Sequence, residues 1–212
     1  MRKLFLSIVL FFSFSFQTYA DGSKKLFVYF GGNSSCIRIE PLKQGVYEKR
    51  IKPILNNDLN LISVIGCFSG TNIKWIDNIS NTNHRSKEIP FSQIKSLAHM
   101  ADEIVLIGHS WGAWITLKLA EINFHKKVFL VTIDPISFIH CQPLGPWDGC
   151  NKFPTDIDQN ALFFTKWYNY FQRKSPLHSN RAERATKNVV LSLQHNDIKY
   201  NKEIWDLVGE VL

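Results

Sequence analysis

Sulfur is scarce in this 212-residue chain, which has two methionines and four cysteines. No pair of cysteines has C-x-x-C spacing, so the common thiolate zinc sites and dithiol redox motifs are excluded. Past residue 20 there is no apolar run long enough to cross a bilayer, which takes roughly 18–20 residues. Blocks of basic charge are also missing. The formal net charge of +7 is scattered among acids, with no basic helix, zinc spacing or RNP-like aromatic motif, and nucleic acid is therefore excluded as a partner. Contact with an anionic membrane surface stays open. No internal repeat or sign of a second domain interrupts the chain.

The one strongly apolar run lies at the start. In "MRKLFLSIVLFFSFSFQTYA", Arg2 and Lys3 precede the run Leu4 to Phe16, and Thr18-Tyr19-Ala20 offers small-residue cleavage chemistry. These are the three parts of a secretory signal peptide, and the run is too short for a spanning anchor. Cleavage after Ala20 leaves residues 21–212, one domain of 192 residues with a charge of +5. The expectation is a secreted or periplasmic protein. In that setting an even cysteine count favours disulfides. Cys141–Cys150 would close a short loop rich in Pro and Gly, and Cys36–Cys67 would tie the ends of neighbouring strands.

Apolar runs at Leu26–Phe30, Leu61–Phe68, Ile104–Gly108, Lys127–Ile133 and Asn188–Gln194 are nearly continuous, as in strands buried on both faces. Helical spacing falls between them, over Pro41 to Asn57, Phe91 to Met100 and Trp111 to Asn123. Ile157, Ala161, Phe164, Tyr168 and Phe171 recur at intervals of four and three, which predicts another helix. A last helix begins at Asn201, a candidate N-cap, with Ile204, Leu207, Val208 and Val211 facing inward. Gly70 to Glu88 and Pro135 to Thr155 read as loops. The pattern is α/β, with about five parallel strands and helices on both faces.

One strand ends in "GHSWGA". Gly108-His109-Ser110-Trp111-Gly112 is G-x-S-x-G at a strand-to-helix junction, a turn that lifts a serine hydroxyl clear of the sheet. Such a serine needs a base and an acid. Asp134 closes the strand "KKVFLVTID" and His195 follows "NVVLSLQ", so both emerge at the same sheet edge in the order Ser110, Asp134, His195. His84, His99, His109, His125, His140 and His178 fall mostly in loops or on helices, and His109 should point away from the serine. Asp148, Asp156 and Asp158 are alternative acids, and Asp197 reads as a loop or capping residue.

On "GHSWGA", supported by "TIDP" and "QHNDI", most of the chain resembles an α/β-hydrolase. The acid directly after the strand that follows the nucleophile resembles the pancreatic-type lipases, and "WYNYFQ" resembles an aromatic segment of small bacterial members. "FVYFGGNSSC" is similar to the H-G-x loop of lipases, with Phe30 in the histidine's place. The resemblance implies a minimal hydrolase fold without a lid. It also implies a catalytic triad of Ser110, His195 and Asp134, and an oxyanion hole from the backbone N–H of Trp111 with that of Gly32 or Asn33. A simple glycine turn is the competing reading of Gly31-Gly32.

The expected function is hydrolysis of a small-molecule or lipid carboxylic ester through an acyl-enzyme, without metal or organic cofactor. Thioester hydrolysis, acyl transfer and a non-catalytic binding role are the alternatives. Trp111, Trp114, Trp147 and Phe153 are candidates for an apolar acyl pocket, against the plainer reading that each packs in the core. Asn33 and Asn78 match glycosylation acceptors.

Overall fold

The computed structural model describes residues 22–32, 45–55, 60–69, 72–136, 154, 156–162, 165–175 and 178–212. The expected signal segment, Asn33, Trp147, Phe153 and three of the four cysteines lie outside these residues. Eight strands form one sheet: β1 Lys25–Phe30, β2 Leu61–Ser69, β3 Asn72–Asp77, β4 Asn83–Ser86, β5 Glu103–His109, β6 Lys127–Ile133, β7 Thr165–Gln172 and β8 Lys187–Leu191. Their spatial order is β4-β3-β2-β1-β5-β6-β7-β8. Among the described strands β3 pairs antiparallel with both β2 and β4; β1, β2 and β5 to β8 run parallel. Strand order reverses between β1 and β5, and in open α/β sheets such a reversal opens a crevice at the C-terminal strand ends.

Both faces are covered, because parallel strands with apolar residues on both sides require it. On one face α2 (Phe91–His99) and α3 (Trp111–Ala120) bury Ile94, Ile115 and Leu119 against Leu26, Val28, Ile104 and Leu106. On the other, α4 (Lys202–Val211) buries Ile204, Trp205 and Val208 beside Phe27, Ile107 and Val131. Asn201 caps α4, its side chain accepting from the Ile204 N–H at 3.4 Å. Among the described residues no helix is long and apolar enough to cross a membrane.

Several sequence expectations are corrected. The sheet has eight strands rather than five. Part of the expected loop Gly70 to Glu88 forms the β3–β4 hairpin, whose alternating burial, with Ile73, Trp75 and Asp77 inward, marks a half-covered edge. The expected helix through Tyr168 and Phe171 is a 3-10 turn, Gln159–Leu162, followed by strand β7. Ala161, which the helical spacing placed inward, is exposed. Tyr168 and Tyr170 pack on the α4 face and Trp167 on the α3 face, the period of two that a strand imposes. Aromatic residues suit that pleated surface. Of the helix expected over 41–57, the described part is a π-helical turn, Tyr47–Ile51, running into a short α1, Lys52–Leu55. Pro53 lacks the N–H that would continue a regular helix there. The strand expected over Asn188–Gln194, buried on both faces, is instead the partly exposed edge strand β8, which stops at Leu191. Asn78 has structural work as well: its Nδ2, where a glycan would attach, donates to the Leu61 carbonyl at 2.8 Å.

Polar side chains lock β6 to β7. Trp167 Nε1 donates to Thr132 Oγ1 at 2.9 Å, and that hydroxyl donates to Asn169 Oδ1 at 2.8 Å. Asn169 Nδ2 reaches Asn188 Oδ1 at 2.9 Å. Asn169→Ala would orphan the buried Thr132 hydroxyl and open a void, and should destabilise the protein by about 2–3 kcal/mol. Urea unfolding checks this beside Val190→Thr on exposed β8, which should change little. A loss under ~0.5 kcal/mol for Asn169→Ala would contradict the network's importance.

Candidate active site

Register decides what meets at the sheet's C-terminal edge. Phe30 on β1 pairs with Gly108 on β5, and His109 on β5 pairs with Ile133 on β6. Continued past the strand ends, the same steps set Gly32 level with Ser110 and Ser110 level with Asp134. Ile133 in turn pairs with Tyr170, and β7 extends beyond that pair to Gln172.

The turn at Ser110 is tight. A Cβ on Gly108 would stand 2.4 Å from Ala113 Cα, and one on Gly112 would stand 2.0 Å from the Phe30 carbonyl oxygen. Neither position accepts a side chain, and Ser110 between them takes φ 58°, ψ −126°. Asp134, at the next strand end, also has positive φ, 47°. Both conformations are costly for non-glycine residues and persist where the surroundings over-determine them. Here the Ser110 N–H donates to the Ile133 carbonyl at 2.9 Å and the Asp134 N–H to Tyr170 at 2.6 Å. The Ile136 N–H donates back to the Ser110 carbonyl at 3.2 Å, so the two strained turns are tied together.

Asp134 is fully buried, and its carboxylate accepts three hydrogen bonds. Oδ1 takes the Ser179 N–H at 2.6 Å, and Oδ2 takes Gln172 Nε2 at 2.9 Å and His195 Nδ1 at 2.7 Å. An acceptor-only carboxylate fixes the proton on Nδ1 and leaves Nε2 of His195 as the basic nitrogen. Gln172 is held in turn by the N–H groups of Lys174 and Ser175, at 2.7 and 2.9 Å on its Oε1. Ser110 and His195 are each 5% exposed. Ser110 Oγ makes no hydrogen bond to the imidazole in this structure.

His109 does not turn away from the site. Its ring lies 4.8 Å from that of His195, centroid to centroid, and Nε2 donates to the His195 carbonyl at 2.9 Å. Burial pushes its pKa well below the ordinary value, and the neighbouring His195 and Lys199 push it the same way. The ring is therefore neutral, with Nε2 as the donor. Gly32 lies against both residues: a Cβ there would be 2.6 Å from Ser110 Cβ, 3.1 Å from Oγ and 3.2 Å from His109 Nδ1.

Other candidates are placed elsewhere. Trp111 opens α3 and is 6% exposed, packed edge-on to Phe68 at 5.7 Å, and Trp114 donates from its indole to Asp156 at 2.6 Å. These two indoles belong to the packing of α3; the other two candidates, Trp147 and Phe153, lie outside the described residues. Asp197 sits at the N-cap of the 3-10 turn Ile198–Tyr200 without a side-chain cap bond. Asp77, Ser80 and His84 cluster at the β3–β4 turn, but a single nitrogen, His84 Nε2, meets both Asp77 and Ser80, so no proton relay runs through that ring. Among the described residues no cysteine is free, and Cys67 sits buried on β2. Gln172, Ser179 and the contact of His109 with His195 had no sequence signal, because each depends on where β7 and the loops around it fold back. No protein-family model matches the chain, and no curated protein matches its sequence.

Because His109 stays neutral when folded, its pKa is depressed relative to about 6.5 in the unfolded chain. Its contribution to stability is complete above pH 6.5 and is lost as pH falls, since only the unfolded chain gains that proton. Thermal and urea unfolding from pH 7.5 to 4.5 should show the wild type losing stability faster than His109→Gln. The excess slope should reach up to about 1.4 kcal/mol per pH unit. Parallel curves would contradict a buried neutral imidazole.

Proposed function

We propose that this protein is an exported serine hydrolase of the α/β-hydrolase type that cleaves carboxylic esters. The observation that carries the reading is the pairing of two strained strand ends, Ser110 and Asp134, with the imidazole of His195 bonded to that aspartate at 2.7 Å. Structural turns have no need of a histidine anchored on a buried carboxylate, whereas nucleophilic catalysis does.

In the proposed reaction the Ser110 hydroxyl attacks the ester carbonyl and His195 Nε2 takes its proton. Asp134 holds the ring in the Nδ1–H form and stabilises the imidazolium. Collapse of the tetrahedral intermediate expels the alcohol, which receives the proton from His195. Water, activated by the same nitrogen, then releases the acid. The Ser110–His195 hydrogen bond forms when substrate is bound, as such bonds commonly tighten only then. The backbone N–H groups of Gly32 or Asn33 and of Trp111 are the proposed oxyanion donors. Gly32 suits this role because its Cα stands against the nucleophile, where a side chain would block the approach. Export rests on residues 1–20, and the proposed disulfides Cys36–Cys67 and Cys141–Cys150 follow from it and from the even cysteine count.

The full chain should hydrolyse short-chain p-nitrophenyl esters. Ser110→Ala should lower kcat by roughly 10⁴-fold or more, equivalent to about 5.5 kcal/mol of barrier. Equal rates in the two proteins would remove the hydrolase reading.

A further inference from the structure

Behind the glycine pair Gly31-Gly32 lies a second feature that the proposed reaction does not use. A cavity of about 140 Å³ opens at the C-terminal ends of β1, β2 and β5, between the π-helical turn and the 3-10 turn, and Gly31, Gly32, Tyr29, Tyr47, Lys199 and Tyr200 are among its walls. Among the described residues that line it, none is acidic.

His109, also in its wall, is bonded through Nε2 to the His195 carbonyl, whereas the side chains of Lys199 and three tyrosines offer donors with no hydrogen-bond partner among the described residues. The Lys199 ammonium forms no ion pair or hydrogen bond among the described residues, although burial depresses its pKa and so disfavours its charge. Among the described residues, the acid whose field reaches it, Asp197, is exposed and makes no ion pair with it. The hydroxyls of Tyr29, Tyr47 and Tyr200 also have no partner among the described residues, and Tyr29 is 5% exposed. Burial, with Tyr200 adding to it, raises the Tyr29 pKa far above the ordinary value, so this hydroxyl keeps its proton and can donate. A second cation reinforces the field: Lys49 and Lys199 each place Nζ 5.5 Å from the Tyr200 ring centre. A half-buried cation is costly unless something pairs with it. One ammonium and several hydroxyl donors around a small space suit an oxyanion, because charge-assisted bonds to carboxylate or phosphate oxygens are the strong ones. Gly32 joins the cavity to the nucleophile, since it lines the one and touches the other.

We propose that this cavity is a subsite for an anionic group, carboxylate or phosphate, carried by the substrate whose ester bond lies at Ser110. Lys199 supplies the opposing charge and the tyrosine hydroxyls supply hydrogen bonds. The preferred substrates are thus esters with a negative charge a few atoms from the scissile carbonyl. The kinetic half of this inference rests on the hydrolase reading, whereas the binding half does not.

Two measurements test it. Inorganic phosphate and succinate are titrated at constant ionic strength against the full chain carrying Ser110→Ala, with the melting temperature as readout. At least one anion should raise it, and adding Lys199→Met should abolish the rise; the anion that acts tells phosphate from carboxylate. With the serine intact, kcat/KM is compared for p-nitrophenyl butyrate, the mono-p-nitrophenyl ester of succinate and the corresponding ester of 3-phosphonopropionate. Lys199→Met should lower the ratio of charged to uncharged ester at least tenfold, through KM. Lys199-dependent anion binding without hydrolysis of any ester would leave the subsite standing and remove the hydrolase. Hydrolysis with an unchanged charge ratio, or anion shifts identical in the two proteins, would overturn the subsite.

Discussion

A carboxylate with no solvent contact and no cation beside it must be satisfied by hydrogen bonds alone, and Asp134 is in that position. Its three donors all lie far from it in the chain: the end of β7, the backbone at Ser179 and the turn after β8. Removing any one leaves a buried charge under-solvated, at a cost of the order of 1–3 kcal/mol. The sheet edge is thus organised around this carboxylate. β7 must reach Gln172, the segment after it must turn its Ser179 N–H inward, and His195 must present Nδ1. One of the three bonds that satisfy the charge also fixes the imidazole, so satisfaction of the carboxylate and orientation of His195 have one cause.

The backbone pays a strain cost at the same place. Ser110 and Asp134, side by side in register, both adopt positive φ, and the hydrogen bonds around Ile133 and Ile136 hold them there. Adjacent parallel strands deliver the two turns at one level, and the break in strand order between β1 and β5 brings Gly32 to the same level from the other side. His109 fixes the third member from below. Its neutral ring, kept so by burial, can only donate through Nε2, and the acceptor is the His195 carbonyl.

Much of this was legible in the sequence where local chemistry alone decides it. The inner strands β1, β2, β5 and β6 are continuous apolar runs, and G-x-S-x-G at the end of β5 announced the turn. Asp134 was legible from its position at a strand end, whereas His195 lies past the bend that follows β8 rather than directly after the strand. β7 was not, because Ile157, Tyr168 and Phe171 mimic a helical period while belonging to different local structures; only pairing with β6 reveals the period of two. β3 and β4 lie at the sheet edge, where polar residues such as Asn83 and Arg85 face water and dilute the strand signal. Gln172, Ser179 and the role of His109 depend on contacts between segments far apart in the chain, which composition and spacing do not encode.

The central claim is that the Asp134–His195 pair activates Ser110. Fluorophosphonate labelling of the full chain, with the modified residue located by peptide mass spectrometry, tests it most directly, because phosphonylation demands an activated serine and no substrate preference. The account predicts a single label on Ser110, with the labelling rate falling at least a hundredfold in His195→Ala and in Asp134→Asn while the variants stay folded. Labelling at another residue, or an undiminished rate in both variants, would contradict it.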